Sequence, residues 1–254
     1  RYNGNESDKE SKASYKRNGK GEDSKMKNHL KRIAAPKLWD INRAASIFIV
    51  RPKAGAHSLK RGMALGVLLR DTLHIANTLT EVRKLLSAND VRIDGTRRTE
   101  YRHVVGLFDI LSIPSLKRWY RVLLTAERGI HLQEIPAGEQ AIKVCKVTGK
   151  SVLPGGKIQI HLHDGRNVTS SQPVAVGDSV VITIPKGEVT EVLPLKPGML
   201  VYIDNGRKVG NVGTLREIKK TQAVYVKDDI VVETAKKYLF VVGKEKPSIT
   251  VQAH

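Results

Sequence analysis

After Ser112 the chain becomes a succession of short apolar or alternating runs: RVLLTA, IKVCKV, KIQIHLH, SVVITI, VTEVLP, MLVYID, QAVYVK, DIVVET and YLFVV. Each is cut off by Gly, Pro, Asp-Gly or Asn-Gly signals. Runs this short, punctuated by residues that favour tight turns, favour small β-barrels or compact sheets over βαβ units in the second half of the chain. The 40% apolar content is enough for real cores, and the 5% aromatic fraction points to several small ones. The expected fold class is α+β, β-rich and multidomain.

Helical signals lie upstream. Leu65, Leu68, Leu69, Leu73 and Ala76 recur at helical spacing and predict an amphipathic helix over residues 63–76. In TLTEVRKLLSANDVRIDGTRRTEYRHVVGLFDILSI, residues 78–113, Thr78 and Glu81 have the spacing of a capping box. Val82, Leu85 and Leu86 then fall on one helical face and Arg83 and Lys84 on another. Val91 and Ile93 alternate as a strand does, and Asp94-Gly95 tolerates the positive φ of a hairpin turn. Arg97 and Arg98 follow, and residues 107–113 read as a closing strand. A unit of this size holds little core and leans on its neighbours.

Charge narrows the function. The 44 Lys and Arg against 25 Asp and Glu give +19, an excess that self-repulsion would penalise unless a polyanion offsets it. Residues 24–70 carry eleven of these cations against one acid, Asp40. Pro36, Pro52 and Gly55 interrupt that stretch, which suits it to lie extended along RNA with Lys and Arg on phosphates. We read Trp39 within it as core packing. Three turn dipeptides, Asp94-Gly95, Asp164-Gly165 and Asn205-Gly206, are each followed by arginine, and cations on exposed turn tips can reach phosphate grooves.

Other classes are excluded or unsupported. The longest apolar runs, such as residues 44–50, are far too short to span a bilayer, and no secretory signal is visible. The single Cys145 rules out an intrachain disulfide framework and a Cys-rich zinc site; we read it as a small core residue, in keeping with a reducing cytosol. His161 and His163 flank Leu162 without the further ligands that a metal needs, so we read both as facing solvent or RNA. Walker A, GxSxG and GxGxxG patterns and catalytic carboxylate pairs are absent, so neither an enzyme, a cofactor nor a small-molecule substrate is expected. Residues 1–23 are polar without apolar periodicity and are expected to be disordered, with Met26 as the expected biological start.

Two segments carry resemblances. Residues 78–113 resemble the αL-type RNA-binding module of a small-subunit ribosomal protein, some RNA-modifying enzymes and some aminoacyl-tRNA synthetases. PGMLVYIDNGRKVGNVGTLREIKK, residues 197–220, resembles the KOW motif of SH3-like barrels through Val201, Ile203, Gly206, Gly210, Gly213 and Leu215. Taken in order, HLKRIAAPKLW, RPKAGAH, the segment ending GLFDILSI, GGKIQIHLHDGRN, the KOW-like segment and FVVGKEKPSITV resemble the S-four-e family of small-subunit ribosomal proteins of archaea and eukaryotes. The chain departs from that family in its polar extension before Met26 and in Asp204-Asn205-Gly206, where many members carry Thr-Gly-Gly.

Composition implies a disordered extension over 1–25, and the resemblance implies a basic region over 26–76, an αL-type module over 77–118, a central β domain over 119–173 and an SH3-like KOW domain over 174–254. It implies a cytoplasmic structural constituent of the small ribosomal subunit with rRNA and neighbouring ribosomal proteins as partners and no membrane. An RNA-modifying enzyme and a KOW-type elongation factor are the alternatives. Candidate RNA contacts in the basic region are Lys27, Lys31, Arg32, Lys37, Arg51 and Lys53. Those carried over from the αL-type module are Arg83, Lys84, Arg92, Arg97 and Arg98. Arg166, Arg207 and Lys208 are the candidates at later turns.

Overall fold

Backbone pairing in the computed structural model is antiparallel in every sheet, as the short punctuated runs require. The structure describes residues 29–88, 90–170, 172–228 and 230–251. The expectations on residues 1–25, on Met26 and on Lys27 lie outside them.

The first described strands, β1 (Leu30–Lys31) and β2 (Phe48–Ile49), close a small hairpin. Strand β3 (Gly62–Ala64) leads into a short helix, α1 (Leu65–Val67), which widens into a π turn over Leu68–Thr72. This corrects the amphipathic helix expected over 63–76. Met63, Ala64, Leu65, Val67, Leu68 and Leu69 are all fully buried, so the segment is apolar all round. Helix α2 (Leu79–Ala88) buries Val82 and Leu86 and half-buries Leu85.

A five-stranded sheet follows, with order β5-β4-β7-β8-β9, built from β4 (Arg92–Ile93), β5 (Thr96–Arg97), β7 (Ile110–Ile113), β8 (Arg118–Thr125) and β9 (Gly129–Glu134). Strand β6 (Val104–Gly106) pairs instead with β3. The closing strand expected over 107–113 begins only at Ile110, because Phe108 takes a positive φ of 63° and turns the chain between β6 and β7.

The central sheet runs β12-β11-β10-β13-β14: β10 (Ile142–Val152), β11 (Ile158–Leu162), β12 (Asn167–Ser170), β13 (Ser179–Thr183) and β14 (Val189–Leu193). The last sheet runs β18-β17-β16-β15-β19: β15 (Leu200–Ile203), β16 (Val212–Ile218), β17 (Gln222–Lys227), β18 (Ile230–Ala235) and β19 (Leu239–Gly243). Strand pairing crosses two divisions expected from the sequence. β8 and β9 join the sheet of β4 and β7, and β13 and β14 join that of β10.

Buried residues do not divide into several equal cores either. One continuous cluster joins α1, α2, the first sheet and the last, and a smaller one around Cys145, Val147, Ile160, Leu162, Val180 and Ile182 serves the central sheet. At the junction of the larger cluster the Phe108 ring lies 4.8 Å from Phe240 and 5.2 Å from Tyr202. Few aromatics suffice because these three meet at one place, where each buried ring contributes both area and ring-ring contact. Trp39 is 2% exposed and donates through Nε1 to the Gly62 carbonyl at 3.0 Å, so it packs in the core as expected.

Candidate nucleic-acid interface

The capping box forms as its spacing requires. Thr78 Oγ1 accepts from the Glu81 N–H at 3.2 Å, and Glu81 Oε2 accepts from the Asn77 and Thr78 N–H groups at 2.8 and 3.4 Å. Those hydrogen bonds, the Asn77 one foremost, lower the Glu81 pKa. The cap fixes where α2 begins, and with it the outward direction of Arg83 and Lys84, both exposed.

Arg83 lies 4.6 Å above the Tyr101 ring and donates to its hydroxyl at 3.0 Å. Arg97 reaches back to the Ser87 carbonyl at 3.1 Å and sits across the ladder from Arg92. Arg92 pairs with Asp90. Helix and hairpin therefore present Arg83, Lys84, Arg92 and Arg97 at the surface. Arg98 is half-buried, and its Nε has no acceptor among the described residues.

Two of the three basic turns are tied down at their aspartates. Asp94 and Asp164 are buried, and both carboxylates converge on Lys143 of β10, which is 0% exposed. Lys143 Nζ lies 2.7 Å from Asp94, 2.6 Å from Asp109 and 3.1 Å from Asp164. Arg166 closes the cluster at 2.7 Å from Asp94 and 3.4 Å from Asp164. This corrects its place as a free turn-tip cation. The cause is the pair of Asp-Gly turns, whose carboxylates face each other and take the arginine that follows one of them into their ion pairs, with its side chain still 30% exposed. The Asn205-Gly206 turn leaves its cations, Arg207 and Lys208, exposed, as the Asp94-Gly95 turn leaves Arg97.

Electrostatics in the cluster follow from burial and pairing. Burial works against the Asp109 charge, but Lys143 and His57, whose Nε2 is 3.0 Å away, outweigh it and hold the carboxyl well below its ordinary range. Asp164 is lowered against burial by Lys143, and Asp94 is raised by burial despite Lys143 and Arg166. Lys143 is itself raised, because its carboxylates outweigh the cost of burial. Burial raises the Cys145 thiol.

His163 corrects another expectation. Its ring packs 5.2 Å from Phe240 and 5.8 Å from His57, and Nδ1 accepts from the Lys146 N–H at 3.2 Å. Burial, with Lys143 nearby, lowers its pKa to about 4, so it is a neutral packing residue at pH 7. His161 bonds Ser151 and Asn167 at the surface. Among the described residues no group of His, Cys, Asp or Glu is arranged to hold a metal ion.

In the basic region Arg32 is buried, donating to the Asn42 carbonyl at 2.7 Å and pairing with Asp71 at 3.2 Å. It is a structural brace for the first hairpin. Lys53 pairs with Glu100, the Arg51 carbonyl accepts from Arg102, and Lys31 and Lys37 are exposed.

Lys37 meets Arg207 in one hollow of about 360 Å³ that also includes Arg128. Two glycines permit the close approach of the segments there. A Cβ on Gly129 would lie 2.2 Å from the Leu38 carbonyl oxygen, and one on Gly210 would lie 2.4 Å from the Leu124 oxygen. Reading the sequence for turn tips overlooks Arg128. Its signal is the ERG hairpin tip between β8 and β9, in which the arginine precedes the turn glycine instead of following it.

Exposed cations from remote segments, gathered on a β scaffold, define a protein built to hold a polyanion. The description of ribosomal family S4e matches residues 117–189, and that of the RS4NT (NUC023) domain matches residues 26–60. The small ribosomal subunit protein eS4 of Methanocella arvoryzae is 37% identical over 228 residues, covering 87% of this chain and 97% of that protein. Its counterpart in Methanocaldococcus jannaschii is 37% identical over 241 residues, covering 88% and 97%. The crystal structure of the 30S ribosomal protein S4e from Thermoplasma acidophilum superposes with a TM-score of 0.63 at 26% identity, covering 72% of this chain and 96% of that one. The chain belongs to ribosomal family S4e.

Proposed function

We propose that the chain is a non-catalytic, structural constituent of the small ribosomal subunit, binding rRNA, lying beside other ribosomal proteins and supporting subunit assembly and translation in the cytoplasm. The near end-to-end match to relatives named small ribosomal subunit protein eS4 carries this reading. No described helix is long and apolar enough to cross a membrane.

Helix α2 with β4, β5 and β7 acts as an αL-type module, gripping folded RNA through Arg83, Lys84, Arg92 and Arg97. The order β18-β17-β16-β15-β19 supports an SH3-like KOW barrel whose turn offers Arg207 and Lys208. Lys31, Lys37, Arg51 and Lys53 serve as contacts of the basic arm, joined by Arg128. Lys27, Arg32, Arg98 and Arg166 complete the candidate set from the sequence, with Arg32 and Arg166 acting through the shape that they brace. We place the module boundaries near residues 135 and 193, where the sheets change.

Binding by phosphate neutralisation and shape has a salt signature. Every phosphate that the protein neutralises adds roughly 0.7–0.9 to the log–log salt slope, so affinity for small-subunit rRNA falls by orders of magnitude between low and moderate salt. A sucrose gradient probed for the chain should place it with small subunits. Co-sedimentation with RNA polymerase would favour an elongation factor, and a change in rRNA nucleotide masses on incubation would favour a modifying enzyme.

A further inference from the structure

A cleft of about 750 Å³ opens between the central and last sheets, outside every surface described above. Val147, Val176 and Leu195 give it aliphatic walls, and Lys220, Lys236 and Lys237 stand at its rim. Asp204 lies on its wall and is 7% exposed. Asp204 Oδ2 accepts from Arg61 at 3.3 Å, but its Oδ1 is buried and has no donor among the described residues. A buried acceptor without a donor is costly, and because this one belongs to a side chain that lines the cleft, a ligand seated there can supply the missing hydrogen.

Three requirements follow for an occupant. The cationic rim calls for negative charge outside, the walls for an apolar or flat body, and Asp204 for N–H or O–H groups within. A nucleotide meets all three, since proteins read single-stranded RNA by taking splayed bases between apolar or aromatic side chains and bonding their Watson–Crick edges. Guanine alone among the bases offers two adjacent donors on that edge, N1–H and N2–H, which match the two oxygens of a carboxylate. Adenine and cytosine place a ring acceptor beside their amino group, and uracil flanks its N–H with two carbonyls, so a carboxylate meets repulsion at each. An acidic peptide with an aliphatic anchor would suit rim and walls, but its backbone offers Asp204 single N–H groups in place of two adjacent donors.

We infer that this cleft holds an unpaired guanine of the small-subunit rRNA, with Asp204 accepting from its N1–H and N2–H edge and the rim lysines on the flanking phosphates. The inference rests on the rRNA-binding reading above. Kethoxal attacks guanine at N1 and N2, so footprinting rRNA bound to the full chain reads the same edge.

A guanine protected by the wild-type chain should become reactive with Asp204→Asn, while affinity falls about tenfold and the salt slope is unchanged, because the substitution weakens a bond to a base and leaves the phosphates as they were. Val176→Glu, at a wall position 55% exposed and so harmless to folding, should expose the same guanine. If both variants leave every protected guanine protected, as an acidic peptide in the cleft would, the inference is overturned. Asp204-dependent protection of another base, read in parallel with dimethyl sulfate at adenine and cytosine and a carbodiimide at uracil, overturns the choice of guanine. A wild-type chain that gives no footprint anywhere fails the rRNA-binding reading itself.

Discussion

Around Lys143, three carboxylates close to within 2.6–3.1 Å of one buried ammonium group, with buried His57 behind them and Arg166 at the partly exposed edge of the cluster. Around α2, by contrast, Arg83 and Arg97 rest on a phenol and a backbone carbonyl and keep their charge at the surface. The first region uses charge to join the turns after β4, β6 and β11 to strand β10. The second leaves it available to a partner. Formal net charge counts both alike, so +19 describes the binding surface only after the internal pairs are set aside.

Removing Lys143 tests the buried side hardest. Lys143→Met leaves three carboxylates facing one another and should cost about 3–5 kcal/mol in urea unfolding, the range for breaking a buried pair from one side. A loss under about 1 kcal/mol would show that the cluster is well solvated and would erase the contrast.

Next in size comes pH. His163 titrates near 4 when folded and near the ordinary histidine value of about 6.5 when unfolded, so the unfolded state takes up its proton first and stability falls as pH drops between them. Asp109 and Asp164, held low, add stability present above the ordinary carboxylate pKa and lost below it, whereas Asp94, held high, opposes them. Unfolding titrations from pH 7 to 4 should show the decline, and His163→Gln should flatten its upper part.

Smaller effects test the exposed side. Thr78→Ala removes the cap and should cost about 1 kcal/mol in the same unfolding assay. Arg83→Ala should leave the melting temperature in place but lower the rRNA salt slope by about 1. Lys53→Ala, at a surface pair with Glu100, should change stability by less than about 1 kcal/mol, against several for Lys143.

Much of this was legible locally. The capping box, the outward Arg83, the buried Cys145 and the short strands follow from spacing within a few residues. What escaped depends on partners far along the chain. Asp94 and Asp164 are ordinary turn formers until Lys143 comes between them, and no period reveals that. Residues 63–69 are buried on all sides, which removes the polar face that would have marked the limits of a helix. The sheet that takes β8 is set by which edge it meets, β7, and strand periodicity is silent on edges.

The approach of Gly129 to Leu38 has a consequence for order in time. The Ile130 N–H donates to the Leu38 carbonyl at 2.7 Å, and Trp39 bridges to Ile130, so the basic arm near the N-terminus is anchored on a strand made much later. Chains emerge N-terminus first during synthesis. Until β9 has emerged the arm has only its partners at Gly62, Asp71 and Arg102, and its lysines and arginines are presented before the last of the surface that will hold them. Gly129→Ala, by setting a methyl against the Leu38 carbonyl, would carry that partly seated stage into the finished protein.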